Sequence, residues 1–391
     1  MQYRKFGRLD FRVSALGFGA MRLPTKDGAI DEPTATEMLH YAIDQGLNYI
    51  DTAYAYHRGE SESFLGKVLK GGYRDRVKLV TKLPTWQVND SSDFDKLLNT
   101  QLDRLQVDFV DFYLLHSLNA GMWSKMRDLG VLEWAEKAIA AGRFGHLGFS
   151  FHGSYDEFKQ IVDEYDWPMC LIQYNYMDVE NQAGMMGLKY AASRGMAVAI
   201  MEPLLGGKLA SAPEPVQSVW DSAPRKRSAV AWALHWLWNQ PEVSVVLSGM
   251  GTMQQVKDNI EYASESGVGS LTEEELALYD RVREAYHGLT AIACTQCGYC
   301  MPCPQGVDIP RNFFVYNEGL MYANPEPGRR EYDWWRRAHE RDSSRADIRA
   351  AMCIQCGACE EKCPQSIQIS KWMPVVHKAL GENGPLVRTL D

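Results

Sequence analysis

The chain has 391 residues, 46% of them apolar and 23% charged, with a formal net charge of −9. This composition excludes a disordered chain, and the negative charge argues weakly against nucleic acid, which needs a basic face for its phosphates. No apolar run reaches the roughly 18 residues that cross a bilayer, and Met1-Gln2-Tyr3-Arg4-Lys5-Phe6 lacks the apolar stretch of a secretory signal, so a cytoplasmic protein with no membrane or nucleic-acid partner is expected.

Short apolar runs alternate with longer helical stretches along the chain. Val13–Gly19 reads as a strand and 34–45 as a helix, followed by strands at Asn48–Asp51 and Val77–Lys82. A helix over Phe94–Leu105 precedes the strand Phe109–Leu115, and a helix near 132–141 precedes His146–Ser150. A helix from Tyr155 leads to Cys170–Gln173, one near 187–194 leads to Met196–Ile200, and the Trp-rich helix Ser228–Asn239 leads to Val243–Leu247. Helices near 253–263 and 272–287 close the series. Nearly continuous apolar strands suit a parallel sheet covered on both faces, and strand–helix repetition makes βαβ units. The fold class is therefore α/β, closed best as a (β/α)8 TIM barrel, with a doubly wound open sheet as the alternative. No Gly-rich fingerprint follows the first strand, which lowers that alternative.

Beyond His287-Gly288-Leu289-Thr290 the composition shifts to cysteine, proline and arginine. We expect a barrel over 1–287 and a small α-rich, ferredoxin-like iron–sulfur domain over 288–391. Eight of the nine cysteines lie there in two tight runs, an internal repeat of roughly sixty residues. Clustered cysteines in a cytosolic chain point to metal rather than disulfides. The second run, Cys353-x-x-Cys356-x-x-Cys359-x-x-x-Cys363-Pro364, has the spacing of bacterial ferredoxins, and the first, Cys294-x-x-Cys297-x-x-Cys300-x-x-Cys303-Pro304, is one residue shorter before its last cysteine. Three thiolates from one loop wrap one cluster, and in two-cluster ferredoxins the last cysteine of each run ligates the other cluster. The sets are then Cys294, Cys297, Cys300 and Cys363, and Cys353, Cys356, Cys359 and Cys303, holding two 4Fe-4S clusters. Structural zinc is the alternative, but zinc ribbons separate their two knuckles by a longer spacer. Cys170, alone in an apolar strand, reads as a small buried side chain.

Between the runs, Trp334, Trp335, Arg336 and Arg337 stand among mixed charges: Arg329, Arg330, Arg341, Arg345 and Arg349 against Glu331, Asp333, Glu340, Asp342 and Asp347. A solvated helix packed on the clusters is the first reading, and a docking patch for an acidic electron-transfer partner is the second.

Barrel chemistry sits at the C-terminal ends of the strands, where this chain places Asp51, Lys82, His116, Ser150, Gln173, Glu202 and Ser248. Asp51-Thr52-Ala53-x-x-Tyr56, Thr81-Lys82, Leu114-Leu115-His116, Gly148-Phe149-Ser150, Pro203-Leu204-x-Gly206-Gly207 and the segment Ser248–Asn259 together resemble the aldo/keto reductase superfamily. With the tail included, the chain resembles the branch that carries a C-terminal 4Fe-4S ferredoxin-type domain. The resemblance implies that Tyr56 is the general acid to a carbonyl that receives hydride, that Lys82 lowers the Tyr56 pKa, that Asp51 holds Lys82, and that neutral His116 orients the carbonyl. It implies an NAD(P)H site at Met21, Ser150, Gln173, Met201, Pro203, Leu204, Gly206, Gly207, Lys208, Ser248, Gly249, Gln255 and Asn259. Tyr54 competes with Tyr56 for the acid role, while Asp111, His57 and His235 read as local structure or packing.

Three departures touch the cofactor. Phe151 stands where many members have Asn, Met201 where many have an aromatic ring, and Gly249 and Gln255 where NADPH-preferring members have Lys and Arg. A 2′-phosphate then lacks its usual cations, so NADH is expected to serve at least as well as NADPH. The first functional reading is a nicotinamide-dependent reductase of a carbonyl, or dehydrogenase of an alcohol, with an appended two-cluster electron-transfer domain. The second is a flavin- or partner-linked electron-transfer protein whose tetrad is not a conventional carbonyl site, and a third makes the tail a structural clamp. If the clusters take part, a flavin is the candidate splitter of hydride into single electrons, and a one-electron carrier protein is the candidate partner.

Overall fold

The structure, a computed structural model, describes residues 1–390. Packing groups Met1–Gly207 with Val230–Glu273 as one compact unit, and Lys208–Ala229 with the chain from Glu274 onward as a second.

The first unit is the barrel. Its strands are β1 (Leu16–Gly19), β2 (Tyr49–Asp51), β3 (Lys78–Leu83), β4 (Val110–Leu118), β5 (Phe144–Phe151), β6 (Met169–Gln173), β7 (Ala197–Met201) and β8 (Val243–Ser248). All pair in parallel in chain order, and β8 pairs β1 to close the ring. The period-two alternation of a strand decides what faces the interior. Tyr49 and Asp51 of β2 point inward, as do Val80 and Lys82 of β3 and Phe112 and Leu114 of β4; Leu79, Leu83, Tyr113 and Leu115 point out to the helices. Gly148 of β5 leaves room for the side chains that fill the interior, because a Cβ there would lie 2.7 Å from Leu114 Cδ2 and 2.8 Å from Met169 Cγ.

The expected strand Val13–Gly19 divides at Ala15. Val13 and Ser14 belong to Leu9–Ser14, which pairs antiparallel with Tyr3–Phe6 in a hairpin. That hairpin plugs one end of the barrel, with Phe6 ring centres 5.2 Å from Phe112 and 5.8 Å from Tyr49. An unbroken apolar run cannot reveal such a change of partner. The other expected strands and helices lie within a few residues of their places, and helices at Glu60–Val68, Ala120–Asp128 and Glu214–Asp221 were not foreseen. Helix starts follow capping chemistry: Asp31 accepts from Thr34 N ahead of Glu32–Asp44, and Ser154 with Glu157 forms a capping box at Tyr155–Asp163.

The second unit contains the cysteine runs, and each run leads into a helix, Ile309–Met321 and Ile369–Gly381. The repeat is structural as well as sequential. Gln296 and Gln355 take φ of 56° and 57°, and Gly298 and Gly357 both take 76°. A third helix, Glu326–Arg341, completes a core of Phe313, Val315, Tyr316, Trp335, Trp372 and Met373. The segment 208–229 and the helix Glu273–His287 from Glu274 onward belong here, with Trp220 against Tyr279 at 5.1 Å and Arg227 paired to Glu275 at 3.0 Å.

Candidate active site and cysteine sites

Asp51 ends β2 facing inward, and Lys82 does the same near the end of β3. Lys82 Nζ donates to Asp51 Oδ1 at 2.6 Å, to the Thr52 carbonyl at 2.7 Å and to Tyr56 Oη at 3.3 Å. Both members of the ion pair are almost fully buried. Asp51 Oδ2 has no hydrogen-bond partner among the described residues, so Lys82 is its main source of compensation. Tyr56 stands in the turn after β2, where His57 and Arg58 take φ of 50° and 58° and reverse the chain. The His116 ring meets Tyr56 edge-on at 6.1 Å and lies 5.0 Å from Trp86. Tyr54 does not compete: it lies under the Arg104 guanidinium at 4.3 Å. Asp111 is held by Arg74 and Lys78, each at 2.9 Å, and His57 accepts from Leu23 N at 3.2 Å.

Burial sets most of the protonation states. It pushes the Tyr56 phenol above its ordinary value, and although the Lys82 charge pulls the other way, burial outweighs it. The expectation of a lowered phenol pKa is thus half right: Lys82 acts in that direction without winning. Burial lowers Lys82, yet Asp51 and Tyr56 together more than restore it, so the ammonium persists. Burial, then Lys82 and His152, hold His116 down to about 3, which keeps its imidazole neutral. His116 Nδ1 is buried and lacks a partner among the described residues.

A cavity of about 370 Å³ opens above this set, within the range of small-molecule sites. It brings the tetrad together with Met21, Ser150, Met201, Pro203, Leu204, Gly206, Gly207, Ser248 and Gly249. Gly207, at φ 98°, is a position where a side chain would strain the backbone. The loop therefore presents bare main chain to the cavity.

Four expected cofactor residues stand elsewhere. The Gln173 amide does not line the cavity, because its Nε2 donates to Asp178 and its Oε1 accepts from Gln182. Gln255 Oε1 accepts from Gly251 N, and Lys208 pairs with Glu318 at 2.6 Å. Asn259 is buried and donates to Ser248 Oγ at 3.0 Å, one step behind the lining. Phe151 points outward and packs on Phe158. Sequence reading passed over Arg22, Ser117 and His152, which do line the cavity. His152 could have been found, since it stands two residues beyond Ser150 and the period-two rule gives both the same side.

The cysteines group as the ferredoxin pattern implies. Cys294, Cys297, Cys300 and Cys363 line one cavity, and Cys303, Cys353, Cys356 and Cys359 line another. In each cavity, three cysteines of one run stand with one cysteine of the opposite run. The donor set fits iron–sulfur clusters: four thiols surround one space, and burial, then neighbouring cysteines and Glu360, push the Cys359 thiol up to about 11. A positive iron core would offset that crowding of incipient thiolates. Cys297 and Cys356 are exposed while their neighbours are partly covered. Cys170 is buried, and its thiol is pushed far up.

The arginines of Glu326–Arg341 are largely spent on their own helix. Arg336 pairs with Asp333 and Glu340 at 2.7 Å, and Arg337 pairs with Asp333 at 2.7 Å. These i,i+3 and i,i+4 pairs neutralise Arg336 and Arg337 locally.

A closed parallel barrel with a buried acid–base set at its mouth, joined to eight cysteines in two sets, defines an oxidoreductase with an iron–sulfur domain. The aldo/keto reductase family matches residues 15–284, and the chain belongs to that family. A 4Fe-4S dicluster domain matches residues 293–368. The L-galactose dehydrogenase of Arabidopsis thaliana is 25% identical over 74% of this chain and 97% of its own length. Aldo-keto reductase AKR11C1 from Bacillus halodurans, in its holo form, has a TM-score of 0.61 at 26% identity, covering 72% of this chain and 96% of that one. An aldo-keto reductase from Klebsiella pneumoniae in complex with NADPH shares the fold, with a TM-score of 0.59 at 23% identity over 72% of this chain and 95% of that one.

Proposed function

We propose that this protein reduces a small carbonyl compound, or oxidises the corresponding alcohol, with a nicotinamide dinucleotide seated in the barrel cavity. The observation that carries this reading is the Asp51–Lys82–Tyr56 chain at 2.6 and 3.3 Å beside a neutral His116. Tyr56 Oη holds the proton that a developing alkoxide needs, and Lys82 eases its release by favouring the phenolate. Neutral His116 donates to the same oxygen without competing as a second acid. Asp51 keeps Lys82 in place and charged. Gly206 and Gly207, with Ser150 and Ser248, offer main chain and hydroxyls to the dinucleotide. Bound, the nicotinamide supplies the hydride and the clusters carry single electrons.

The cysteine unit holds two 4Fe-4S clusters in this reading, in the crosswise sets described above, in a cytoplasmic protein. Exposed Cys297 and Cys356, with Tyr299 and Ile354 at 67% and 63% exposure, give each cluster an edge that a one-electron carrier could approach. A flavin is the intermediary that this exchange would call for. The engaged amide of Gln173 favours a second reading, a flavin- or partner-linked electron-transfer protein, because it removes one expected nicotinamide contact. Titration with NADH and NADPH, followed by reduction of 4-nitrobenzaldehyde under anaerobic conditions, tests the first reading. Failure of both nicotinamides to bind sinks it in favour of the second.

A further inference from the structure

The inner face of β3 carries Lys82 and its outer face carries Thr81. Behind Thr81 lies a second buried polar system that none of the roles above uses. Glu62, on the helix Glu60–Val68, is fully buried. Its Oε1 accepts from Thr81 Oγ1 at 2.6 Å and from Gln101 Nε2 at 2.5 Å, and its Oε2 accepts from Arg104 at 3.2 Å. Gln101 extends the system in two directions. Its Nε2 also donates to the Lys82 carbonyl at 3.0 Å, and its Oε1 accepts from the Tyr113 hydroxyl at 2.7 Å. Arg104 donates to the Tyr54 carbonyl at 3.4 Å and lies over the Tyr54 ring.

One carboxylate therefore ties together three supports of the active site. They are the strand of Lys82, the strand of His116 through Tyr113, and the turn of Tyr56 through Tyr54. A buried charge is costly unless every acceptor is met. Apolar side chains could fill the same space between helix and strand without that cost. What they could not supply is a set of directed contacts that fixes backbone positions to tenths of an ångström.

We propose that Glu62 is a positioning residue: through Thr81, Gln101 and Arg104 it sets the approach of Lys82 Nζ to Tyr56 Oη. The inference rests on the reading of Tyr56 as the general acid. Misplacement of a catalytic pair by about 1 Å can cost about a hundredfold in rate, so partial loosening is expected to cost less.

The test uses the full chain with 4-nitrobenzaldehyde and NADH or NADPH. Glu62→Gln keeps the shape and removes the charge. It is expected to lower kcat about tenfold, to leave the KM for the nicotinamide within about twofold, and to move the alkaline limb of the reduction profile upward. The shift follows because a retreating Lys82 no longer lowers the Tyr56 pKa. Tyr113→Phe deletes only the hydroxyl at the far end of the network, and it is expected to show a smaller change in the same direction. That variant decides the matter if Glu62→Gln does not fold. A wild type that reduces aldehydes, with folded variants that match its kcat and pH profile and lose only thermal stability, overturns this inference alone. A wild type that reduces no aldehyde with either nicotinamide overturns the proposed function, and this inference with it.

Discussion

The barrel mouth and the cysteine unit solve the problem of buried charge in opposite ways. At the mouth, the Lys82 charge has protein partners at fixed distance: it rests on Asp51, on the Thr52 carbonyl and on Tyr56. In the cysteine unit, thiols face one another. Burial raises Cys294, Cys300 and Cys353, and their fellow cysteines raise them further. The Lys82 ammonium at the first site is held by protein atoms alone. The second is arranged around something that protein atoms do not supply. A preorganised site holds its geometry through protein contacts, whereas a thiol cage depends on its contents for folding free energy.

The largest effect that would sharpen this contrast is on metal content. Cys363→Ser and Cys294→Ser are expected to remove the same cluster, and Cys303→Ser and Cys353→Ser the other, each lowering iron by about half if the sets cross as in two-cluster ferredoxins. Iron analysis with electron paramagnetic resonance of the reduced protein decides it. Loss of the same signal in Cys363→Ser and Cys353→Ser would show that the runs do not cross. Carbonyl reduction by these variants is expected to change little where the barrel stays folded.

Tyr56→Phe comes next. It is expected to lower turnover about 10²–10⁴-fold while leaving iron content at the wild-type level. Near-native reduction by that folded variant would remove the acid role from Tyr56.

Both sites were partly legible in the sequence, for different reasons. The cysteine sets were readable because cluster ligation imposes spacing on neighbours in the chain. Asp51, Lys82 and His116 were readable because each ends an apolar strand. Glu62 was not, since nothing in the sequence sets it apart from its neighbour Glu60 until Thr81 and Gln101 are seen beside it. Gln173 misled for the converse reason. Its position at a strand end was right, but Asp178 and Gln182, only a few residues on, claim its amide. The end of the hairpin strand Leu9–Ser14 was hidden because Val13 and Ser14 run on into β1 without a break in the pattern.

The pH dependence follows from the shifts at the mouth. The Tyr56 pKa is raised, so the phenol stays protonated through neutral pH, and carbonyl reduction is expected to hold level there and fall only in strongly alkaline solution. Alcohol oxidation needs the phenolate and is expected to climb over the same range. His116 is held down to about 3, so it contributes no acid limb between pH 5 and 8. An inflection in reduction near pH 6.5 would mean that His116 titrates as an ordinary histidine.

Smaller still is the expected preference between dinucleotides. Gly249 brings no charge to a 2′-phosphate, and the Gln255 amide is turned to Gly251. NADPH is therefore expected to bind within about tenfold of NADH. A hundredfold preference for NADPH would point to another cation at the mouth, such as Arg22. The smallest effect is expected from Arg336→Ala on the exposed helix, which should leave both thermal unfolding and reduction rates unchanged within error.

The central claim is that Tyr56 and Lys82 serve hydride transfer to a carbonyl in the barrel. It is tested most directly with a nicotinamide deuterated at both positions of C4, mixed anaerobically with 4-nitrobenzaldehyde and the purified protein. The expected product is an alcohol carrying one deuterium on the former carbonyl carbon, formed by the wild type and nearly absent with Tyr56→Phe. An alcohol formed without deuterium, or no alcohol while the clusters become reduced, would contradict it.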